Sequence, residues 1–406
     1  MAAVEAVAVT RADVNKCPHA FEARIRTPRY VSSYNWIDAA LPTIVVPGCP
    51  ALWSPPNGPK KVQKDSGLVY IAQNAARHPD SPLEPLFRAV LIQDPTFDLT
   101  AIDVVTDRNN IRKLFAFVAK GQTGDILERF TINAEFVKDT LILCRNETAT
   151  QEYIGPNEFR GFGHNYEKVY TKSQISESTG HYRIISYSFC GMNLVVRHET
   201  DGYVAAPKNG GTSEFGDLSS QLQALSLLST EGASEKPVGF TKLRLTRKGQ
   251  EVPLESTLEI KTRAMKRPLS LSDVAPQLWV SQTPKLVRAY HQAGRFGTPV
   301  VEDVQPLVKE WEDQNQPILK KLGALLLKVR SVARQFGTAV IKYDDQKDQL
   351  IISKGSGRAM LPADVYAKWF EGQERDVQPD IKDIKSKPAH EPVSISTRAK
   401  LSGQVQ

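Results

Sequence analysis

Cysteine is scarce in this 406-residue chain. The four are Cys17, Cys49, Cys144 and Cys190, and no two form a C-x-x-C pair. That spacing argues against a zinc ribbon, and reduced thiols are the simplest reading of cysteines so far apart. Long apolar runs are missing as well. No stretch approaches the ~18 apolar residues of a membrane-spanning helix, so no membrane association is expected. The opening MAAVEAVAVTRADVNK has an apolar stretch too short for a signal peptide, and Glu5 interrupts it. It is neither rich in arginine nor free of acids, as a mitochondrial presequence would be. Nucleus or cytoplasm is the expectation.

What is present looks ordinary at first. Apolar residues make up 41% and charged residues 24%, enough to bury a sizeable core. Lys and Arg total 52 against 45 Asp and Glu, a net charge of +7. A mild basic excess suits an anionic partner such as RNA, and suits equally well a soluble protein that merely avoids zero net charge.

Periodicity divides the chain unevenly. Residues 1–20 read as a flexible N-terminus and 21–372 as one domain. Within it, residues 21–65 are rich in Pro and aromatics, which predicts short strands and a wrapping arm. Short helices are expected in YIAQNAARHP and PLEPLFRAVLIQDP, and a strand running into a helix in AIDVVTDRNNIRKLFAFVAK. ERFTINAEFVKDTLILCRN alternates like two paired strands. HYRIISYSFCGMNLVVRHE predicts a hairpin turning at Gly191-Met192-Asn193. TLEIKTRA reads as a strand, and LSDVAPQLWVSQ as a helix capped by Ser272 or Asp273. An amphipathic stretch from 304 to 336 is interrupted at Pro317, and TAVIKYDDQKDQLIISKG reads as a hairpin. A Ser/Gly/Lys/Glu-rich surface insertion occupies about 205–240, and 373–406 form a charged, Pro-containing, disordered tail by composition.

Two of the strands carry chemistry. VVRHETDGYV places Glu199 and Asp201 two residues apart, on one face of a strand. Paired carboxylates there suit a hard divalent cation, which takes oxygen ligands. TLEIKTR sets Glu259 and Lys261 in the same relation. Each triplet alone is better explained by a solvated strand face or a cross-strand ion pair. Together and in this order, each in an apolar strand, they form the signature of PD-(D/E)XK nucleases. The second is followed by a helix and a strand, as that fold requires.

Further segments sharpen this. From about residue 80 to 360 the chain resembles the DXO family of decapping exoribonucleases, with its motifs in family order. AIDVVTDRNNIRKLF resembles the segment of the active-site arginine, pointing to Arg108. GHNYEK resembles the glycine–aromatic–Lys–Phe–Glu helix start, pointing to Glu167. HETDGY and LEIKT resemble the Glu-x-Asp and Glu-x-Lys motifs. QLWVSQTPKLVRAYHQAGRF resembles the glutamine segment, where Gln277 and Gln282 both qualify. His198 stands where a Gly usually precedes Glu-x-Asp, Asn165 replaces a Lys, and the gap from Asp201 to Glu259 is long.

The resemblance implies an α+β fold: mixed central sheets flanked by helices around a PD-(D/E)XK core. Glu167, Glu199, Asp201, Glu259 and the carbonyl of Ile260 would hold Mg²⁺ or Mn²⁺. Lys261 and one of the two glutamines would orient the attacking water, and Arg108 would grip a phosphate of an RNA 5′ end. His164 and His198 are expected to pack or hydrogen-bond rather than ligate. So are the aromatic rings Tyr166, Tyr203 and Trp279, though each could stack on bases. The implied activity is removal of incomplete, NAD or other non-canonical caps or of 5′ triphosphate, with or without 5′–3′ exonuclease action. A weakly active relative that binds RNA or partners a 5′–3′ exoribonuclease is the alternative, and a DNA nuclease a third option. A monomer is the default.

Overall fold

The computed structural model describes residues 6–15, 22–119, 127–205, 236–237 and 241–374. The expected tail and almost all of the expected insertion lie outside the described residues.

A twelve-stranded mixed sheet forms the body. Edge to edge it runs through Ala6–Val9, Gln349–Lys354, Thr338–Asp344, Thr131–Val137, Thr140–Asn146, Val104–Asp107, Met192–Glu199, Ser178–Phe189, Arg26–Ile37, Thr43–Gly48, Arg244–Gly249 and Lys236–Pro237. Its centre is covered on both faces, which is why Val104 and Val105, neighbours in sequence, are both fully buried. On one face pack the helices Arg108–Ala119, Leu271–Ser281 and Gln316–Phe336, with a continuous core of Ile111, Leu114, Val196, Leu278, Leu322 and Leu326. On the other face the helices Glu84–Gln93 and Ala363–Glu374 close over Tyr34, Trp36, Ile184 and Val195.

A second, smaller sheet contains Thr171–Lys172, Leu52–Trp53, Gly202–Tyr203, Thr257–Ala264, Lys285–Gln292, Arg295–Phe296 and Lys60–Lys61. The helix Gly163–Tyr170 seals it through Tyr166 and Tyr170, whose rings stack 3.9 Å apart and are wholly buried. The architecture is α+β, with mixed sheets flanked by helices.

Several expectations need correction. The first twenty residues contain order: Ala6–Val9 pairs antiparallel with the C-terminal hairpin, and Arg11–Asn15 is a helical turn. The Pro-rich segment holds a twelve-residue strand, Arg26–Ile37. Pro28 is tolerated because only Asn35–Ile37 pair with Thr43–Val45, so the first half of the strand has a neighbour on one side alone. The hairpin turns at Cys190-Gly191, both with positive φ (50° and 75°), not at 191–193. Helix Leu271–Ser281 is capped by Ser270, whose hydroxyl accepts from the Asp273 amide while Asp273 accepts from the Ser270 amide. The long amphipathic stretch breaks at Asn315, one residue before the second helix begins.

Candidate active site

The strand Met192–Glu199 lies parallel to Val104–Asp107, with Arg197 opposite Asp107. Parallel neighbours end at the same rim of a sheet, so Arg108, which opens the following helix, emerges beside Glu199. A buried clasp fixes this. The Arg197 guanidinium, 1% exposed, donates through Nε and Nη2 to the two oxygens of Asp107 at 2.7 and 3.1 Å, and through Nη1 to Pro82 O and Tyr34 Oη. This is the fork-to-fork geometry that guanidinium and carboxylate favour. Asp107 raises the affinity of Arg197 for its proton against the opposing effect of burial.

Beyond Glu199 the chain crosses to the second sheet. Gly202 pairs with Leu258, and a side chain there would meet Ala51 O at 3.0 Å. Asp201, between the sheets, accepts a 2.7 Å hydrogen bond from Ile260 N, which stitches the Glu-x-Asp segment to the Glu-x-Lys strand. At the centre of that strand Glu259 is 1% exposed. Its Oε2 accepts from Arg108 Nη1 at 3.1 Å, and its Oε1 from Lys261 Nζ and Gln277 Nε2. Lys261 Nζ also lies 3.3 Å from Ile260 O. Residues from three separate segments thus meet on one carboxylate.

Glu167 approaches from the helix Gly163–Tyr170. Asp65 anchors the start of that helix from 100 residues upstream, accepting from the amides of Asn165 at 2.9 Å and His164 at 3.3 Å. Asn165 turns its side-chain amide to Lys64 O at 2.8 Å, so this departure from the family pattern serves as a loop tether.

Of the two glutamines, only Gln277 reaches Glu259. Gln282 ends the helix in the left-handed conformation (φ 53°, ψ 33°) and donates to Trp279 O. Arg108 pairs with neither Asp107 nor Asp103, which are taken by Arg197 and Arg330. His164 is exposed, His198 is buried, and Tyr166 and Trp279 are core residues.

The electrostatics divide the carboxylates. Burial would raise Glu259, but the charges of Lys261 and Arg108 overcome it and hold Glu259 below the usual carboxylate range. Lys261 is raised in return, against burial, by Glu259 and Asp201. Asp201 and Glu167 are pushed up, first by burial and then by neighbouring negative charge: Glu259 acts on Asp201, and Asp201 and Glu199 act on Glu167. Glu199 opens onto solvent in the cleft, yet it lies deep enough in protein that burial raises it too. Crowded, poorly solvated carboxylates of this kind are relieved by a cation.

Glu167, Glu199 and Asp201 line a cleft of about 610 Å³ together with Arg108, Arg112 and Arg145, and Glu259, with the half-buried Lys261 on it, adjoins the cleft through Arg108. The donor set fits a hard divalent ion in type, being all oxygen. Among the described residues no three acidic, histidine or cysteine side chains are already gathered into a cage. Glu259 in particular is engaged by three protein donors that an ion would have to displace. Sequence reasoning missed Arg112, although its i+4 spacing from Arg108 on the same helix was a usable signal. It also missed Arg145 and Asp65, for which no local pattern exists.

A family model described as a domain of unknown function, DUF8563, matches residues 20–359. None of the curated proteins matches the chain. Several solved structures share the fold. S. pombe Rai1 aligns with a TM-score of 0.53 at 11% identity, over 86% of this chain and 99% of that one. Scheffersomyces stipitis Rai1 in complex with (3′-NADP)⁺ and calcium ion gives 0.54 at 11%, over 91% and 100%. Candida albicans Rai1 in complex with pU5-Mn²⁺ gives 0.50 at 10%, over 90% and 100%. At such identities the likeness is one of fold.

Proposed function

The chain belongs to the family described as DUF8563, a domain of unknown function, and we propose that it is a divalent-metal-dependent hydrolase acting on RNA 5′ ends. The observation that carries this reading is the meeting of Arg108, Lys261 and Gln277 on the buried Glu259, beside Glu167, Glu199 and Asp201. The fold neighbours support it, since one is in complex with pU5-Mn²⁺ and another with (3′-NADP)⁺ and calcium. Glu167, Glu199, Asp201, Glu259 and the Ile260 carbonyl would hold one or two Mg²⁺ or Mn²⁺ ions. Such ions lower the pKa of bound water and neutralise charge on a phosphoryl group in the transition state. Lys261 and Gln277 orient the attacking water from one side. Arg108 reaches into the cleft and is released for a 5′-terminal phosphate once Glu259 turns away from it. Arg112, one helical turn further, faces the same space. Caps that end in pyrophosphate linkages, NAD caps among them, and 5′ triphosphate are the substrates this arrangement suits; 5′–3′ exonucleolytic action would use the same machinery.

One observation favours a second reading, in which the chain is weakly active and serves as an RNA-binding or exoribonuclease-partner protein. Glu259 is already satisfied by three protein donors, which an ion must outcompete. The test uses the purified chain as a monomer, with Mg²⁺ or Mn²⁺. Short RNAs carry 5′ monophosphate, triphosphate, unmethylated cap, methylated cap or NAD. Release of an end group or of nucleotides by the wild type, and not by Glu199→Ala/Asp201→Ala, is expected. An inert wild type on every RNA with both metals would leave the second reading in its place.

A further inference from the structure

The departure at His198 has a physical counterpart behind the metal strand. His198 lies opposite Arg183 on the neighbouring strand, and His181 is two residues from Arg183 on the same face. Thr200 donates its backbone amide to His181 O. All four side chains are at least 95% buried. Yet His198 Nδ1 and Nε2, Arg183 Nε and Nη2, His181 Nε2 and Thr200 Oγ1 have no hydrogen-bonding partner. The Arg183 guanidinium lies over the ring of Tyr30, 4.7 Å away, with Glu251 and Glu255 as nearby charges. His181, His198 and Thr200 line the cleft, and Arg183 is the cross-strand neighbour of His198. A buried guanidinium with unpaired donors is costly unless something anionic or polar completes it.

The donor and acceptor roles can be assigned. Asn35 Oδ1 accepts from Cys49 N, and Asn35 Nδ2 donates to Cys49 O, so backbone groups fix the orientation of that amide. His181 Nδ1, 2.8 Å from Asn35 Oδ1, therefore carries the hydrogen. Burial, with Arg183 nearby, pushes His181 down to about 3, so the ring is neutral and its Nε2 is an acceptor. The pocket thus offers Arg183 N–H groups, a Thr200 hydroxyl and one His198 N–H as donors, and imidazole acceptors at His181 Nε2 and at the second nitrogen of His198.

We propose that His181, Arg183, His198 and Thr200 form a second anion site, distinct from the carboxylate cluster, that takes a tetrahedral oxyanion still bearing a hydrogen, namely inorganic hydrogen phosphate. The donors bind the charged oxygens, and the P–O–H donates to His181 Nε2. Sulfate has the same shape but no proton to give near neutral pH, and an RNA phosphodiester lacks one as well. The site does not depend on the RNA reading.

The test measures thermal unfolding and ³¹P line broadening of the full chain in EDTA, at constant ionic strength, with rising phosphate or rising sulfate. A dose-dependent rise in unfolding midpoint with phosphate, and little with sulfate, is expected. Arg183→Met should abolish that phosphate-specific increment, and Arg108→Met should retain it. Thr200→Val, a milder change, should weaken phosphate several-fold if Arg183→Met does not fold. Equal shifts from phosphate and sulfate, or none from either, would mean that water alone completes these groups. Loss in Arg108→Met with retention in Arg183→Met would move phosphate to the cleft. Each of these results overturns the proposal.

Discussion

Arg197 and Arg183 are buried equally, each 1% exposed, and both belong to the same pair of antiparallel strands. Arg197 spends its donors on Asp107, Pro82 O and Tyr34, and its charge is stabilised by the protein. Arg183 leaves Nε and Nη2 unpaired, and burial lowers its hold on the proton. The same contrast separates two sets of carboxylates. Asp107 is matched by a guanidinium, whereas Glu167, Glu199 and Asp201 crowd one another. Charges that the protein satisfies hold its strands in register. Charges it leaves unsatisfied mark where something from outside completes the structure.

The clasp gives the largest expected effect. Arg197→Met leaves Asp107, whose side chain is 14% exposed, without its partner and should lower stability by about 3 kcal/mol, the low end of the cost of breaking a buried pair. Urea unfolding measures it. A loss under ~1 kcal/mol would mean that Arg197 is no more satisfied than Arg183, and the contrast would fail.

The carboxylate cluster should respond in the other direction. Glu199→Gln/Asp201→Asn removes mutual repulsion, so in EDTA the variant should be at least as stable as the wild type. With Mn²⁺ at a hundredfold excess over its dissociation constant, the wild type should gain about 2.7 kcal/mol and the variant almost nothing. Differential scanning fluorimetry with and without Mn²⁺ checks this, and an equal gain in both proteins would place the ion elsewhere.

The two glutamines separate site from scaffold on a smaller scale. Gln277→Ala leaves Glu259 short of a donor and should cost about 1–3 kcal/mol. It should also slow release of 5′ end groups at least tenfold. Gln282→Ala loses one hydrogen bond to Trp279 O, worth about 1 kcal/mol, and should leave turnover unchanged. Turnover that falls in Gln282→Ala and not in Gln277→Ala would reverse the assignment.

The glutamine shows how far the sequence reaches. Counting along the chain left Gln277 and Gln282 equal, because the choice turns on which side of the last helical turn faces the sheet. The helix ends at Ser281 with Gln282 in the left-handed region, and boundary residues are the least legible part of a pattern. Glu199, Asp201, Glu259 and Lys261 were legible because a two-residue period on apolar strands is a local signal. Strand Thr257–Ala264 has the bounds its alternation predicts. Asp65 and the Arg197–Asp107 clasp were not, since each acts across 90 or more positions, and Arg145 joins the cleft from a strand far in sequence from the motifs. His198 was visible only as a misfit, and nothing in its neighbourhood of sequence announced Arg183 across the hairpin.

The smallest expected effect closes the comparison. Arg183→Met replaces a buried, unmatched guanidinium by an apolar side chain of similar length that still packs on Tyr30. Among the described residues no group accepts from its Nε or Nη2, and Glu251 and Glu255 act on it as nearby charges. In phosphate-free buffer its stability should therefore equal or exceed that of the wild type, where Arg197→Met falls by about 3 kcal/mol. Raising phosphate should reverse the order, since only the wild type gains from it. If urea unfolding finds Arg183→Met severely destabilised without phosphate, the guanidinium has a role in the fold itself and the two arginines are alike.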